Sequence, residues 1–163
     1  MGAPIPAEPP PRPAATETMR RPDIVRGALL AIVAYCLFIG LTAAVIPHVF
    51  YDDFPFLEHW VERLPPYNEH LVFDVGGLYL GFAVVLGLAA WRPRRDLVIA
   101  GCAGFLTVSV PHLAYHVFNL AGFSTGEAIL ELAALASLLI PPLVAIWASG
   151  ADGPVGPSAP PFT

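Results

Sequence analysis

Two histidines, His112 and His116, stand four residues apart in the stretch SVPHLAYHVF, directly after Pro111 and inside an otherwise apolar segment. On a helix that spacing puts both imidazoles on one face, one turn apart. Three further ionisable residues lie near the ends of neighbouring apolar segments: His70 and Asp74 in NEHLVFD, and Glu131 one turn after Glu127 in GEAILE. Imidazole nitrogens and carboxylate oxygens open three kinds of chemistry. They can tie helices together as a hydrogen-bonded network, hold a proton or a small ligand, or ligate a divalent metal such as zinc, iron or manganese. The metal set would be His70, Asp74, His112, His116 and Glu131. The motif reads HLAYH rather than HExxH, so the metalloprotease signature is absent. Haem is a variant of the metal reading: two histidines on one helix cannot bracket it, whereas His70 with His112 or His116 could. His48 and His59 stand alone in a loop and read as surface residues.

These residues need a scaffold, and composition names its solvent. Of 163 residues, 56% are hydrophobic and 13% charged, with a mean hydropathy of +0.65. Soluble domains carry about a quarter charged residues, so the deficit indicates a membrane protein. Four segments reach the ~20 residues that a ~30 Å hydrocarbon core requires, at 24–46, 70–91, 97–121 and 127–148. In lipid the backbone must satisfy its own hydrogen bonds, so these are helices. The expected fold is all-α, a transmembrane four-helix bundle occupying 23–148. Residues 1–22 and 149–163 are rich in proline and small residues and read as disordered tails. Arg20, Arg21 and Arg26 also suit a signal peptide, but the apolar run after them is long enough to span and TAAVIPH is a poor cleavage site, which favours a retained anchor.

Arginine placement orients the bundle. Arg12, Arg20, Arg21 and Arg26 precede the first span, and Arg92, Arg94 and Arg95 fill the turn between the second and third. The loop at 47–69 has only Arg63 against Asp52, Asp53, Glu58, Glu62 and Glu69. The positive-inside rule puts both termini in the cytoplasm, with the chain in the inner (plasma) membrane. Trp91 and Trp147 then fall at the inner interface. Within the outer loop, Phe56, Leu57, Trp60, Val61 and Leu64 recur at helical spacing, which predicts a short amphipathic helix capping the bundle.

This topology aligns the polar residues. His70 and Asp74 begin the second span, His112 and His116 lie late in the third, and Glu127 and Glu131 begin the fourth. His70 and Glu127 stand at the outer ends of their spans, and at 1.5 Å per residue Asp74, His112, His116 and Glu131 sit about 6–14 Å in from theirs. His70 and Asp74 share a stripe with Gly77 and Gly81, a small-xxx-small surface that invites a neighbouring helix, so Asp74 is expected to point into the bundle. Pro111 frees the Thr107 carbonyl, and Pro141 and Pro142 interrupt the fourth span similarly. Cys36 and Cys102 lie at depths about 10 Å apart, too far for the roughly 7 Å a disulfide allows between Cα atoms.

The stretch YNEHLVFDVGGLYLGFAVVLGLAAWRPRRDLVIAGCAGFLTVSVPHLAYHVFN has a glycine-rich second helix, a short arginine turn and a third helix with late histidines. In these features it resembles the DoxX-like four-helix membrane proteins over the central third of the chain. The resemblance implies a small four-helix bundle, in some members associated with redox partners; it transfers no catalytic residue. No phosphate loop, nucleophile motif or CxxC occurs, whether the chain is an enzyme stays open, and arginines beside the membrane do not speak for nucleic acid. Three function classes remain: a binding or redox-accessory protein, a structural or assembly subunit whose polar cluster locks helices, and a proton-coupled transporter that would need to oligomerise. The partners implied are the lipid bilayer and either another membrane protein or further copies of this chain.

Overall fold

The computed structural model describes residues 21–56 and 58–150. Most of both Pro-rich tails lies outside the described residues. Their inner edges do not behave as tail: Pro22 opens the first helix, where its missing N–H costs nothing, and Ser149 is fully buried. The described residues form α1 (Pro22–Val45), α2 (Pro47–Asp53), α3 (Glu69–Trp91), α4 (Arg95–Phe118), α5 (Thr125–Ser137) and α6 (Ile140–Ala148), with no strand among them. Four spans, α1, α3, α4 and the pair α5–α6 taken as Thr125–Ala148, are long and apolar enough to cross a membrane.

α1 is the centre of the bundle. Its buried residues Val25, Leu29, Ile32, Cys36, Ile39 and Ala43 recur every three or four positions and form one stripe. That stripe packs most extensively on α3 and next on α6, while α4 closes the ring by packing on α3 and α6. Tyr35, Phe82 and Phe105 meet edge to face at the middle, with the Phe105 centroid 6.3 Å from Tyr35 and 5.7 Å from Phe82. Cys36 and Cys102 are both buried and free.

Backbone approach between α1 and α3 is set by Gly40 and Gly76. A Cβ at Gly76 would sit 2.6 Å from the Ala44 amide nitrogen, and one at Gly40 would sit 2.8 Å from Leu80 Cγ. The expected contact stripe was a different one. Gly77 and Gly81 have open space around them, and His70 and Asp74 share their exposed face. The buried stripe of α3 is Val72, Gly76, Tyr79, Ala83 and Leu86. It lies two residues on, about 200° around a helix of 3.6 residues per turn, so Asp74 points away from the bundle rather than into it.

The fourth span is broken. Pro141 and Pro142 offer no N–H, and the chain tightens ahead of them: Leu138 N–H donates to Leu135 O at 3.2 Å and Leu139 N–H to Ala136 O at 3.1 Å. These are three-residue closures in place of the α-helical four. α6 continues against α1 and α4, whereas α5 packs on α4 and α6 and meets neither α1 nor α3. The bundle is therefore closed at one end and parted at the other. By contrast α4 runs unbroken through Pro111.

The long loop covers the parted end. Its helix is α2, at Pro47–Asp53, and the amphipathic helix expected over 56–64 does not form; turns replace it. Phe56 and His59 have φ of 49° and 57°, which a right-handed helix excludes, and prolines at 55, 65 and 66 bound the stretch. Aromatic contacts hold the loop instead, with Phe50 4.7 Å from Phe54 and Tyr51 4.9 Å from Tyr67 between centroids.

Gly76→Ala is expected to lower stability by about 1–3 kcal/mol through overpacking against backbone, while Gly77→Ala and Gly81→Ala leave it unchanged or slightly raised. Thermal unfolding in one detergent would compare the three; equal effects would discard the close approach at Gly76.

Candidate functional site

The site forms where α5 leaves α1. On α4, Ser109 and His116 share the inward face, and Ser109 Oγ donates back to Phe105 O at 2.9 Å. His112, one turn before His116, is exposed, and the two rings lie 4.7 Å apart between centroids at 65°. From α5 comes Glu131, with a relative exposure of 1% against 8% for His116. Glu131 Oε1 sits 2.7 Å from His116 Nδ1. The approach is close without forming an aligned hydrogen bond: neither His116 Nδ1 nor Glu131 Oε2 has a hydrogen-bond partner. An unpaired buried polar group costs about 1–3 kcal/mol, so this couple is not at its own energetic optimum.

A cavity of about 250 Å³ lies beside the couple. Its walls include Tyr35, Trp60, Tyr79, His112, His116 and Glu131, with aliphatic side chains between them. Leu71 of α3 and His112 of α4 belong to the wall and are both exposed. Trp60, from the loop, roofs it, and its Nε1–H is buried without an acceptor. A second hollow beside Phe38 and Phe56 holds one ionisable residue, Asp53.

Arg63 latches the roof. Its Nη1 donates to Glu127 Oε2 at 3.0 Å and to Gly122 O at 2.9 Å, and its Nη2 donates to Glu127 Oε1 at 2.6 Å. The guanidinium also lies 4.7 Å from the Phe123 ring centroid. These bonds to Glu127 hold the guanidinium above its ordinary pKa, against a smaller desolvation effect. Glu127 is itself fixed by a capping box: Ser124 N–H donates to Glu127 Oε2 at 2.7 Å, and Ser124 Oγ accepts from the Glu127 N–H. Two parallel N–H···O bonds specify geometry as well as attraction. Nearby, burial first, then Glu69 and Asp52, pushes the Tyr67 hydroxyl upward, which keeps it a proton donor.

The five sequence-predicted residues thus divide. His112, His116 and Glu131 come together. His70 and Asp74 form their own pair at 3.2 Å, with side chains 87% and 57% exposed on the outward face of α3. Among the described residues no group of three or more His, Cys, Asp or Glu side chains is placed to hold a metal ion. The haem pairing of His70 with a histidine of α4 is likewise not assembled, since His70 faces away. His48 and His59 are exposed, as expected, but paired: His48 lies 3.7 Å from Glu69, and His59 lies 3.3 Å from Glu62 and contacts Asp52 O. Tyr35 and Tyr79 carry no sequence signal for the site, whereas Trp60 stands in the apolar pattern of the outer loop and Arg63 is the only arginine of that acidic loop.

Comparison of the chain with protein-family models, curated proteins and solved structures finds no match. Its chemistry must be read from the residues themselves.

Glu131→Ala should destabilise the bundle by about 3 kcal/mol or more, the usual result of removing one member of a buried pair. Replacing both members, as His116→Phe with Glu131→Leu, should restore most of that loss. Chemical denaturation in bicelles measures both. A double variant as unstable as the single would show that the couple is needed for folding.

Proposed function

We propose that this chain is a four-span plasma-membrane binding protein, with both termini cytoplasmic, that takes a small lipophilic molecule from the bilayer into the cavity beneath its outer loop. The observation that carries this reading is Glu131. A carboxyl group is placed in the wall of a largely apolar cavity, 1% exposed, with one oxygen unanswered. Ionisable groups within a membrane are costly and are functional by default. Leu71 and His112 line the cavity from two spanning helices and are exposed, which suits a ligand that arrives from the lipid. The size fits too: a dry cavity of ~150 Å³ binds benzene, so about 250 Å³ admits one substituted ring and is too small for a porphyrin.

Orientation rests on charge. Arg21, Arg26, Arg92, Arg94 and Arg95 gather at the closed end of the bundle, where α1 and α4 begin and α3 and α6 end. Arg21 lies 4.8 Å from the Trp147 ring and Arg92 4.5 Å from the Trp91 ring, the pairing of cations and tryptophan favoured at a cytoplasmic interface. In intact cells, a membrane-impermeant thiol reagent should label Phe56→Cys, and should label Arg92→Cys only after permeabilisation. The reverse pattern would invert the topology.

A structural subunit is the rival reading, favoured by the tie that Glu131 and His116 make between α5 and α4. A DoxX-like bundle with a redox partner, or self-association, is compatible with either. Binding separates them. The full chain in nanodiscs should take up radiolabelled ethylbenzene saturably, near one per chain beyond empty discs, and Val75→Phe, which fills the cavity, should abolish the excess. Uptake equal to that of empty discs, for ethylbenzene and for ring compounds bearing a polar group alike, would leave the structural reading in place.

A further inference from the structure

We infer that the cavity is built for a neutral phenol-class ligand, one aromatic ring bearing a hydroxyl; this rests on the binding reading above and specifies its chemistry. Three polar atoms in residues of the cavity wall are buried and unpartnered, Trp60 Nε1, His116 Nδ1 and Glu131 Oε2. His116 Nδ1 already lies 2.7 Å from Glu131 Oε1, which leaves Trp60 Nε1 and Glu131 Oε2 to an occupant, and these two demand different things. An indole N–H can only donate, so the occupant must carry an acceptor. A carboxyl oxygen beside a histidine accepts, so the occupant must also carry a donor. A hydroxyl is the smallest group that does both, with one O–H and two lone pairs.

The alternatives each leave a defect. An ammonium donates to Glu131 but gives Trp60 nothing. An ether or ketone accepts from Trp60 and leaves Glu131 Oε2 unanswered. A carboxylate ligand accepts from Trp60, but sets a second carboxyl group beside Glu131 in a low-dielectric wall. A hydrocarbon fills the space and answers neither atom. The ring follows from the remaining wall. Tyr35, Phe50, Phe54 and Tyr79 join Trp60 around the space, and aromatic faces and edges favour a further aromatic ring over an alkyl chain of equal area.

The polar atoms come from different elements. Trp60 belongs to the loop that Arg63 latches to Glu127, and Glu131 lies one turn below Glu127 on α5. One latch therefore holds both recognition atoms in register.

The test uses the full chain in nanodiscs and three radiolabelled probes: 4-ethylphenol, ethylbenzene and 2-phenylethylamine, each corrected for uptake by empty discs. 4-Ethylphenol is expected to bind about tenfold or more tighter than ethylbenzene, the worth of answering a buried unpaired group. That advantage should shrink to near unity in Trp60→Phe, which keeps an aromatic ring and removes the N–H, and should fall likewise in Glu131→Leu. If Glu131→Leu does not fold, Trp60→Phe decides alone. Saturable binding of ethylbenzene with no preference for the phenol would overturn the inference and leave the binding reading standing. Tightest binding of the amine would overturn it in favour of a cation site. Saturable binding of none of the three would remove the binding reading itself.

Discussion

Two adjacent prolines in the fourth span determine where this bundle can be open. Each lacks the N–H that would answer a carbonyl one turn earlier, and together they leave two consecutive gaps in the ladder. The chain meets that constraint with tightened closures at Leu138 and Leu139 and emerges in a new direction. Past this point α6 stays on α1, while α5 has left it. A straight fourth helix would continue along α1 and fill the space beside Ile39. The break thus creates a volume inside the bundle without any insertion and confines it to one end.

An opening of this kind exposes polar backbone and apolar walls together, and the outer loop is shaped to cover it. Helical structure over 56–64 would have laid a rod across the mouth. Turns instead fold Trp60, Val61 and Leu64 down into the space and leave Arg63 at the edge. The Arg63 guanidinium then meets a carboxylate that Ser124 has already oriented. Because Glu127 is fixed by its own helix cap, little further side-chain freedom is lost when the arginine binds. A loop with few regular hydrogen bonds is thereby docked at one well-defined point.

How much of this the sequence displayed depended on which physical rule spoke. Span length and apolarity are properties of single segments, and four crossing segments were readable directly. Depth follows from topology, so the meeting of His116 with Glu131 was readable too, one residue on each of two neighbouring spans. Rotation about a helix axis is harder. GGLYLG offers small residues on both sides of α3, and an inward placement of the polar pair His70 and Asp74 selects the side of Gly77 and Gly81. The opposite face won, because Gly76 lets the α3 backbone approach Ala44 of α1 and because two polar groups near a helix end can reach the interface instead. The outer loop misled for a different reason. Its apolar spacing was helical, but periodicity says nothing about residues forced to positive φ between prolines. The site's aromatic walls and its latch arise from that loop and could not be assembled without its path.

The two carboxylates of α5 sit one turn apart and show opposite treatments of the same chemical group. Glu127 is saturated: both of its oxygens accept from Arg63, and one also accepts from a backbone amide. Glu131 is buried more deeply and served less well, with one oxygen near an imidazole that is out of line and the other without a hydrogen-bond partner. If both served only to hold helices together, the pressure to complete hydrogen bonds would be strongest at the drier position, where an orphaned acceptor costs most. The reverse is found. Completion lies at the rim, where the latch needs strength, and incompleteness lies at a residue of the cavity wall. A polar network left unfinished on the side of a cavity is better matched to binding than to locking, because only binding returns the free energy that the unfinished network withholds.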